Sequence, residues 1–239
     1  MRKIAAKFLI FLSLAISSCT AVSYVPQIPT YTPKVNLDVS PQTINKSVQI
    51  DPFKDASPKE DKKTPFMGLS VTDYELWGCE LDSGVTNAVI ADFSDNRLFN
   101  QVGRKVENPD FIIRGEIKKF YGKSQLSTFA KVSSTVGVAG IIGIFITPWA
   151  LLAFLPDFVL FLGGIPASTN RSEMAIEMRL YDNEDNLINT YTGKSINSNP
   201  ALVYRDQTLA VSNMTNRTFS KAIMQIRDQI LADAARLGF

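Results

Sequence analysis

The chain is 239 residues long, with 25 Lys and Arg against 23 Asp and Glu, two cysteines and no histidine. Without an imidazole it cannot run Ser-His-Asp or Cys-His catalysis, ligate a metal through histidine, or use imidazole acid–base chemistry. The near balance of charge gives no basic face for nucleic acid, and no HExxH, GxSxG, Walker or dinucleotide-fingerprint motif is present.

Residues 1–18 read as a secretory signal. Arg2, Lys3 and Lys7 form a basic start, Phe8 to Ile16 a short apolar core, and Ser17-Ser18 the small residues before Cys19. The stretch is too short to remain as a spanning helix. Ile16-Ser17-Ser18-Cys19 resembles the bacterial lipobox, which implies cleavage before Cys19 and a diacylglyceryl thioether on its sulfur, a covalent lipid in place of any cofactor. Thr20 after the cysteine implies, by the enterobacterial sorting pattern, an outer-membrane protein whose domain lies in the periplasm. Acyl chains contribute ~0.8 kcal/mol per buried CH₂, and two or more give stable anchoring. Loss of the three basic residues leaves 22 cations against 23 anions, a net charge of −1. Cys79 is then the one thiol left, which excludes an intramolecular disulfide.

Residues 19–46 follow the cysteine with four prolines and no hydrophobic period, the composition of an extended tether. The α/β domain spans 47–239. In SVQIDPF, Val48 and Ile50 alternate with polar residues and Pro52 ends a short strand. A charged loop follows, and Leu69 to Cys79 is ambiguous. Asp82 or Ser83 can cap a helix over 84–102, with Val85, Val89, Phe93 and Phe99 on its apolar face and Gly103 as its stop. From Phe111, alternation turns Phe111, Ile113, Gly115 and Ile117 to one side of a strand. Met174, Ile176, Met178 and Leu180 do the same in the next, and NEDN (Asn183 to Asn186) turns it into a hairpin. From about Asp206 a long helix carries Phe219, Ile223, Ile226, Ile230 and Leu237 on one face. The predicted class is α+β: a four-stranded, mainly antiparallel sheet with two helices on one face, in the order β-α-β-β-β-α.

Between its second and third strands, at 132–166, lies an apolar insertion containing GVAGIIGIFITPWALLAFLPDFVLFLGG, in which Asp157 is the one charge. The strands on either side should be neighbours in one sheet, so a single membrane crossing is excluded. Barrel strands are excluded too, because consecutive residues are apolar on both faces. A helical hairpin fits, with Thr147-Pro148 starting its second helix. Its arms of ~15 residues reach about 22 Å, short of a ~30 Å hydrocarbon core. The expectation is a re-entrant or interfacial hairpin that meets a membrane or a neighbouring subunit through Ile141, Ile142, Phe145, Trp149, Leu152, Phe154, Phe158 and Phe161. A hairpin buried in protein or in an oligomer remains the alternative.

The lipobox, the Pro-rich spacer, the opening strand I-x-P-F-x-D (Ile50 to Asp55) and P-D-F-x-x-x-G-x-I-x-x-F (Pro109 to Phe120) resemble small Gram-negative outer-membrane lipoproteins. These include the lipopolysaccharide-assembly lipoprotein, auxiliary lipoproteins of lipid-transport ABC systems, and the curli-secretion and TolB N-terminal α/β domains. They share no catalytic residues. The resulting expectation is a non-catalytic cell-envelope lipoprotein, a tethered binding or scaffold domain whose partners are membrane lipid and an envelope protein or further copies of itself. The alternative is an oligomeric or auxiliary component of an envelope lipid-transport or secretion system. Tyr74, Trp77 and Tyr121 could line a groove between helices and sheet, and Asp182, Glu184 and Asp185 could form a calcium-binding turn, although core packing and a solvated hairpin tip account for them more simply.

Overall fold

The computed structural model describes residues 31–36, 43–77, 80–133, 135–136, 152, 155, 163–164, 166–201 and 206–237, the side chains of 77 and 235–237 excepted. In chain order the elements are β1 (Ile44–Ile50), β2 (Lys54–Asp55), α1 (Lys59–Lys62), β3 (Gly68–Ser70), α2 (Tyr74–Trp77), α3 (Leu81–Asp95), β4 (Phe99–Gly103), β5 (Phe111–Leu126), β6 (Ser168–Asp182), β7 (Leu187–Ala201) and α4 (Gln207–Leu237). The sheet is mixed, with seven strands. Its main path runs β4-β1-β5-β6-β7, and β2 and β3 pair with β5 beyond the end of β1. The four expected strands are present and adjacent. The four-stranded description is corrected by three more strands and by parallel pairing of β1 with both β4 and β5.

The largest correction lies at 96–103. The expected helix over 84–102 starts earlier, at Leu81, without a side-chain cap from Asp82 or Ser83, and ends at Asp95. Arg97 takes a left-handed backbone (φ 52°). The Leu98 N–H donates to the Phe93 carbonyl at 2.9 Å and the Arg97 N–H to that of Ser94 at 3.0 Å. This is the Schellman pattern, closed here without glycine. Phe99, which fits the helical spacing, instead opens a strand and packs beside Phe93 with ring centroids 6.2 Å apart.

β5 carries a bulge at Ile117/Lys119. Before it Phe111, Ile113, Gly115 and Ile117 face the helices; after it Phe120, Gly122 and Ser124 do. Tyr121 therefore turns to the opposite face. α3 and α4 both cover the inner face, and one core joins Val85, Val89 and Phe93 of α3 to Phe219, Ile223, Ile226 and Ile230 of α4 across the sheet. The outer face carries ion pairs in rows, such as Arg114–Asp185 at 2.8 Å and Lys118–Glu116 at 2.8 Å. Gly122 and Gly193 let α4 lie directly on the sheet. A Cβ at Gly122 would stand 1.8 Å from Thr215 Oγ1, and one at Gly193 2.0 Å from the Ala222 carbonyl oxygen.

The β5–β6 ladder continues without a break from the bulge to Leu126↔Ser168, and the Ser127 N–H donates to the Ala167 carbonyl at 2.8 Å beyond it. The chain between them leaves and re-enters the sheet at one point, as the topology of the sequence requires. Ser127 caps the helical turn that follows, accepting the Ala130 N–H at 3.1 Å. Among the described residues no helix is long and apolar enough to cross a membrane. Residues 31–36, within the expected tether, lie along α4: Tyr31 Oη and the Lys34 N–H both donate to Asn216 Oδ1, and the Asn36 N–H donates to Ser220 Oγ.

Candidate functional site

The inner rows of β6 and α4 change character along their length. Near the hairpin β6 presents Met174, Ile176, Met178 and Leu180; towards the insertion the same row becomes Ser168, Asn170 and Ser172, all buried. α4 matches it, with Ile223, Ile226 and Ile230 giving way to Thr215 and Thr218. The hydroxyls are satisfied locally. Thr215 donates to the Val211 carbonyl at 2.7 Å, Thr218 donates to that of Met214 at 2.9 Å, and Ser172 shares a hydrogen bond with Thr218. A helix and a sheet that pack apolar-to-apolar at one end thus meet through polar groups at the other.

At this polar end the space between the first turns of α4 and the end of β7 opens as a groove of about 390 Å³. Asn170, Asn197 and Asn199 line it from the sheet; Asp206, Asn213 and Arg217 line it from α4. Asp206 holds the start of α4, its carboxylate accepting the Leu209 N–H at 3.1 Å. Asn170 is 5% exposed, and its Oδ1 has no hydrogen-bond partner among the described residues. A buried amide oxygen left unmatched costs about 1–3 kcal/mol, and it lies in a residue that borders the groove. Beside it, on the β5 side of the α4 start, Met67, Leu126 and Ala167 line a more apolar cleft of about 430 Å³. Phe66, next to Met67 in the chain, is 81% exposed, and Phe129, Val132 and Val136, which follow Leu126 in the chain, are exposed as well.

Of the residues expected to meet a membrane or a subunit, Leu152 is described and is 54% exposed. Ile141, Ile142, Phe145, Trp149, Phe154, Phe158 and Phe161 lie outside the described residues, as do Cys19 and Cys79. Tyr74 and Tyr121 do not share a groove. Tyr74 is exposed, whereas Tyr121 is buried on the outer face, donating to Glu173 at 2.7 Å beneath Lys123. Burial and the Glu173 carboxylate push the Tyr121 phenol up to about 12. The acidic turn is engaged by its own chain, Asp182 accepting the Glu184 and Asn186 N–H groups and Asp185 pairing with Arg114.

The groove was not anticipated from sequence because its inner row lacks apolar residues. The alternation that identifies β6 begins at Ser172, four residues after the strand does. The signal that could have found it is the amide recurrence at Asn170, Asn197, Asn199 and Asn213.

Deep between α3 and α4, Arg227 Nη1 reaches both Asp92 carboxylate oxygens at 3.1 and 3.3 Å, and Asn96 donates to the same carboxylate at 3.0 Å. Burial pushes the Asp92 carboxyl up to about 6 against the pull of Arg227. Arg227 Nε has no partner among the described residues. This pair joins α3 to α4.

No protein-family model matches the chain, and no curated protein matches it in sequence. Solved structures overlap it in part. A candidate lipoprotein from Caulobacter crescentus CB15 superposes with a TM-score of 0.34 at 9% identity, covering 63% of this chain and 80% of that one. A PelC dodecamer subunit from Paraburkholderia phytofirmans gives 0.32 at 8% identity over 83% of this chain and 95% of that one. A hypothetical protein from Chlamydia trachomatis gives 0.38 at 8% identity over 80% and 95%. Similarity at this level ties the chain to no family and no activity.

Proposed function

We propose that the protein is a non-catalytic lipoprotein of the bacterial cell envelope, held at the outer membrane through Cys19. Its α/β domain binds a partner through the groove between β7 and α4. The observation that carries this reading is the groove itself, lined by Asn170, Asn197 and Asn199 from the sheet and by Asn213 and Arg217 from α4. The lipobox supports the anchor. The exposed apolar residues around the stem of the insertion, Phe129, Val132 and Val136, support a second contact with membrane lipid or a neighbouring subunit at the same end of the sheet.

The test is photo-crosslinking in intact cells with a photoreactive residue at Asn199 or Asn213, and at Asn87 on the exposed side of α3 as a control. Adducts of defined mass at the two groove positions, absent at Asn87 and lost in Cys19→Ala, are expected. Radiolabelled palmitate should enter the wild type and not Cys19→Ala. Equal labelling of both variants, or identical adduct patterns at all three positions, would overturn the proposal.

A further inference from the structure

β7 is an edge strand, and the backbone groups it turns away from β6 are treated differently along its length. The Thr192 N–H donates to Gln229 Oε1 at 3.2 Å, and Gln229 Nε2 returns a bond to the Thr192 carbonyl at 2.8 Å. The Lys194 N–H donates to Gln225 Oε1 at 2.9 Å. The Thr190 N–H goes to Asn189 Oδ1 at 2.8 Å. These side-chain amides occupy the places where an eighth strand would bond, and so protect the edge.

The geometry of the protection is a matched pitch. Four residues of helix rise about 6.0 Å and two residues of strand about 6.8 Å, so positions 229 and 225 of α4 meet 192 and 194 of β7. Continuing in step, Lys221 falls opposite Ile196 and Arg217 opposite Ser198. The β6–β7 register is unbroken through this stretch, so the N–H and carbonyl groups of Ile196 and Ser198 also point away from β6. Lysine and arginine carry no acceptor and cannot satisfy those N–H groups as glutamine does. Pro200, next in the same phase, has no N–H. Among the described residues the edge is therefore open here, bounded on one side by glutamine and on the other by proline. It runs into the groove lined by Asn197, Asn199, Asn213 and Arg217. Ile196 is 64% exposed. Lys194, Arg217 and Lys221 are exposed as well, and none has an ion-pair partner among the described residues.

We infer that the groove takes an extended, acidic polypeptide segment of another protein. The segment adds to β7 at Ile196 and Ser198 as a short strand, with carboxylates facing Arg217 and Lys221. Strand addition gives affinity through main-chain bonds and specificity through the side chains beside them. The inference rests on the groove being the partner site and adds the chemistry of the partner.

The probe is a fluorescent octapeptide of alternating Glu and Val, read by anisotropy on the purified full-length protein in detergent. Its comparators are a Lys-for-Glu version and a version N-methylated at alternate residues, which keeps every side chain and removes the edge bonds. The acidic peptide should bind, with at least tenfold loss on N-methylation and on charge reversal. Two double variants separate charge from edge. R217Q/K221Q extends the glutamine row and closes the edge, whereas R217A/K221A removes the same charges and leaves the edge open. The glutamine pair should bind several-fold more weakly than the alanine pair, with both keeping wild-type urea midpoints within error.

Equal binding of the N-methylated peptide, or of the two double variants, would overturn strand addition. Concentration-dependent dimerisation of the wild type, abolished by R217Q/K221Q, would assign the edge to a second copy and overturn the acidic-partner assignment. Groove-specific crosslinks in cells without peptide binding would sink this inference and leave the partner-site reading standing; absence of both would sink the two together.

Discussion

Replacing Arg227 with methionine tests what holds α3 to α4. In the wild type a carboxyl that sits at 3.8 when solvated is pushed to about 6 by burial at Asp92, a rise worth about 3 kcal/mol at 1.36 kcal/mol per tenfold. The folded state favours the protonated acid. This group therefore costs nothing below pH 3.8, takes stability away between 3.8 and 6, and exerts its full cost above 6. Arg227, at 3.1 and 3.3 Å from the two oxygens, keeps that cost from being larger. In R227M the buried carboxylate loses its counter-charge. Removing one member of a buried pair costs about 3–5 kcal/mol, and the Asp92 carboxyl moves further up, extending the window of lost stability beyond pH 6. Urea unfolding followed by intrinsic fluorescence should show R227M destabilised by about 3–5 kcal/mol at pH 8 and by clearly less at pH 5, where Asp92 takes up its proton. D92N/R227M should recover most of the loss, since no unpaired charge remains and the substituted amide still offers an oxygen to Asn96. A cost below about 1 kcal/mol, or one equal at both pH values, would refute the reasoning.

Two further expectations follow from single contacts. Asp110 accepts the Ser47 N–H and hydroxyl and the Lys46 ammonium, which hold its carboxyl down near 2. Its contribution is present above pH 3.8 and lost as pH falls towards 2. Asp110→Asn should lower the urea midpoint at pH 7 and leave it unchanged near pH 2, and an unchanged midpoint at pH 7 would refute the role. Gly122→Ala places a methyl 1.8 Å from Thr215 Oγ1 and should destabilise by about 1–3 kcal/mol. Adding Thr215→Gly should restore part of that loss in the same assay, and a double variant no better than the single one would place the strain elsewhere.

The sequence revealed elements whose two faces differ in polarity. Val85, Val89 and Phe93 mark the buried side of α3, and Met174 to Leu180 that of β6, because burial there is apolar and periodic. The end of α3 was illegible because Arg97 closes it in a left-handed conformation that usually signals itself through glycine, while Phe99 continued the helical spacing by coincidence. β2 and β3, of two and three residues, are too short to show a period. The lysine pair at the β5 bulge hides the reversal of phase that turns Tyr121 to the outer face. The candidate groove escaped for a related reason. Buried Ser168, Asn170, Ser172, Thr215 and Thr218 look like surface residues until the opposing element is in place.

The last rung between Ser127 and Ala167 has an evolutionary corollary. With the two chain ends fixed side by side on a finished ladder, whatever joins them can lengthen, shorten or change in oiliness without displacing a single pair in the sheet below. Related chains should therefore differ most between these two positions, and a two-residue Asn-Gly link spliced in there should yield a folded protein with the groove intact. In such a lineage the loop is an interchangeable head on a conserved body.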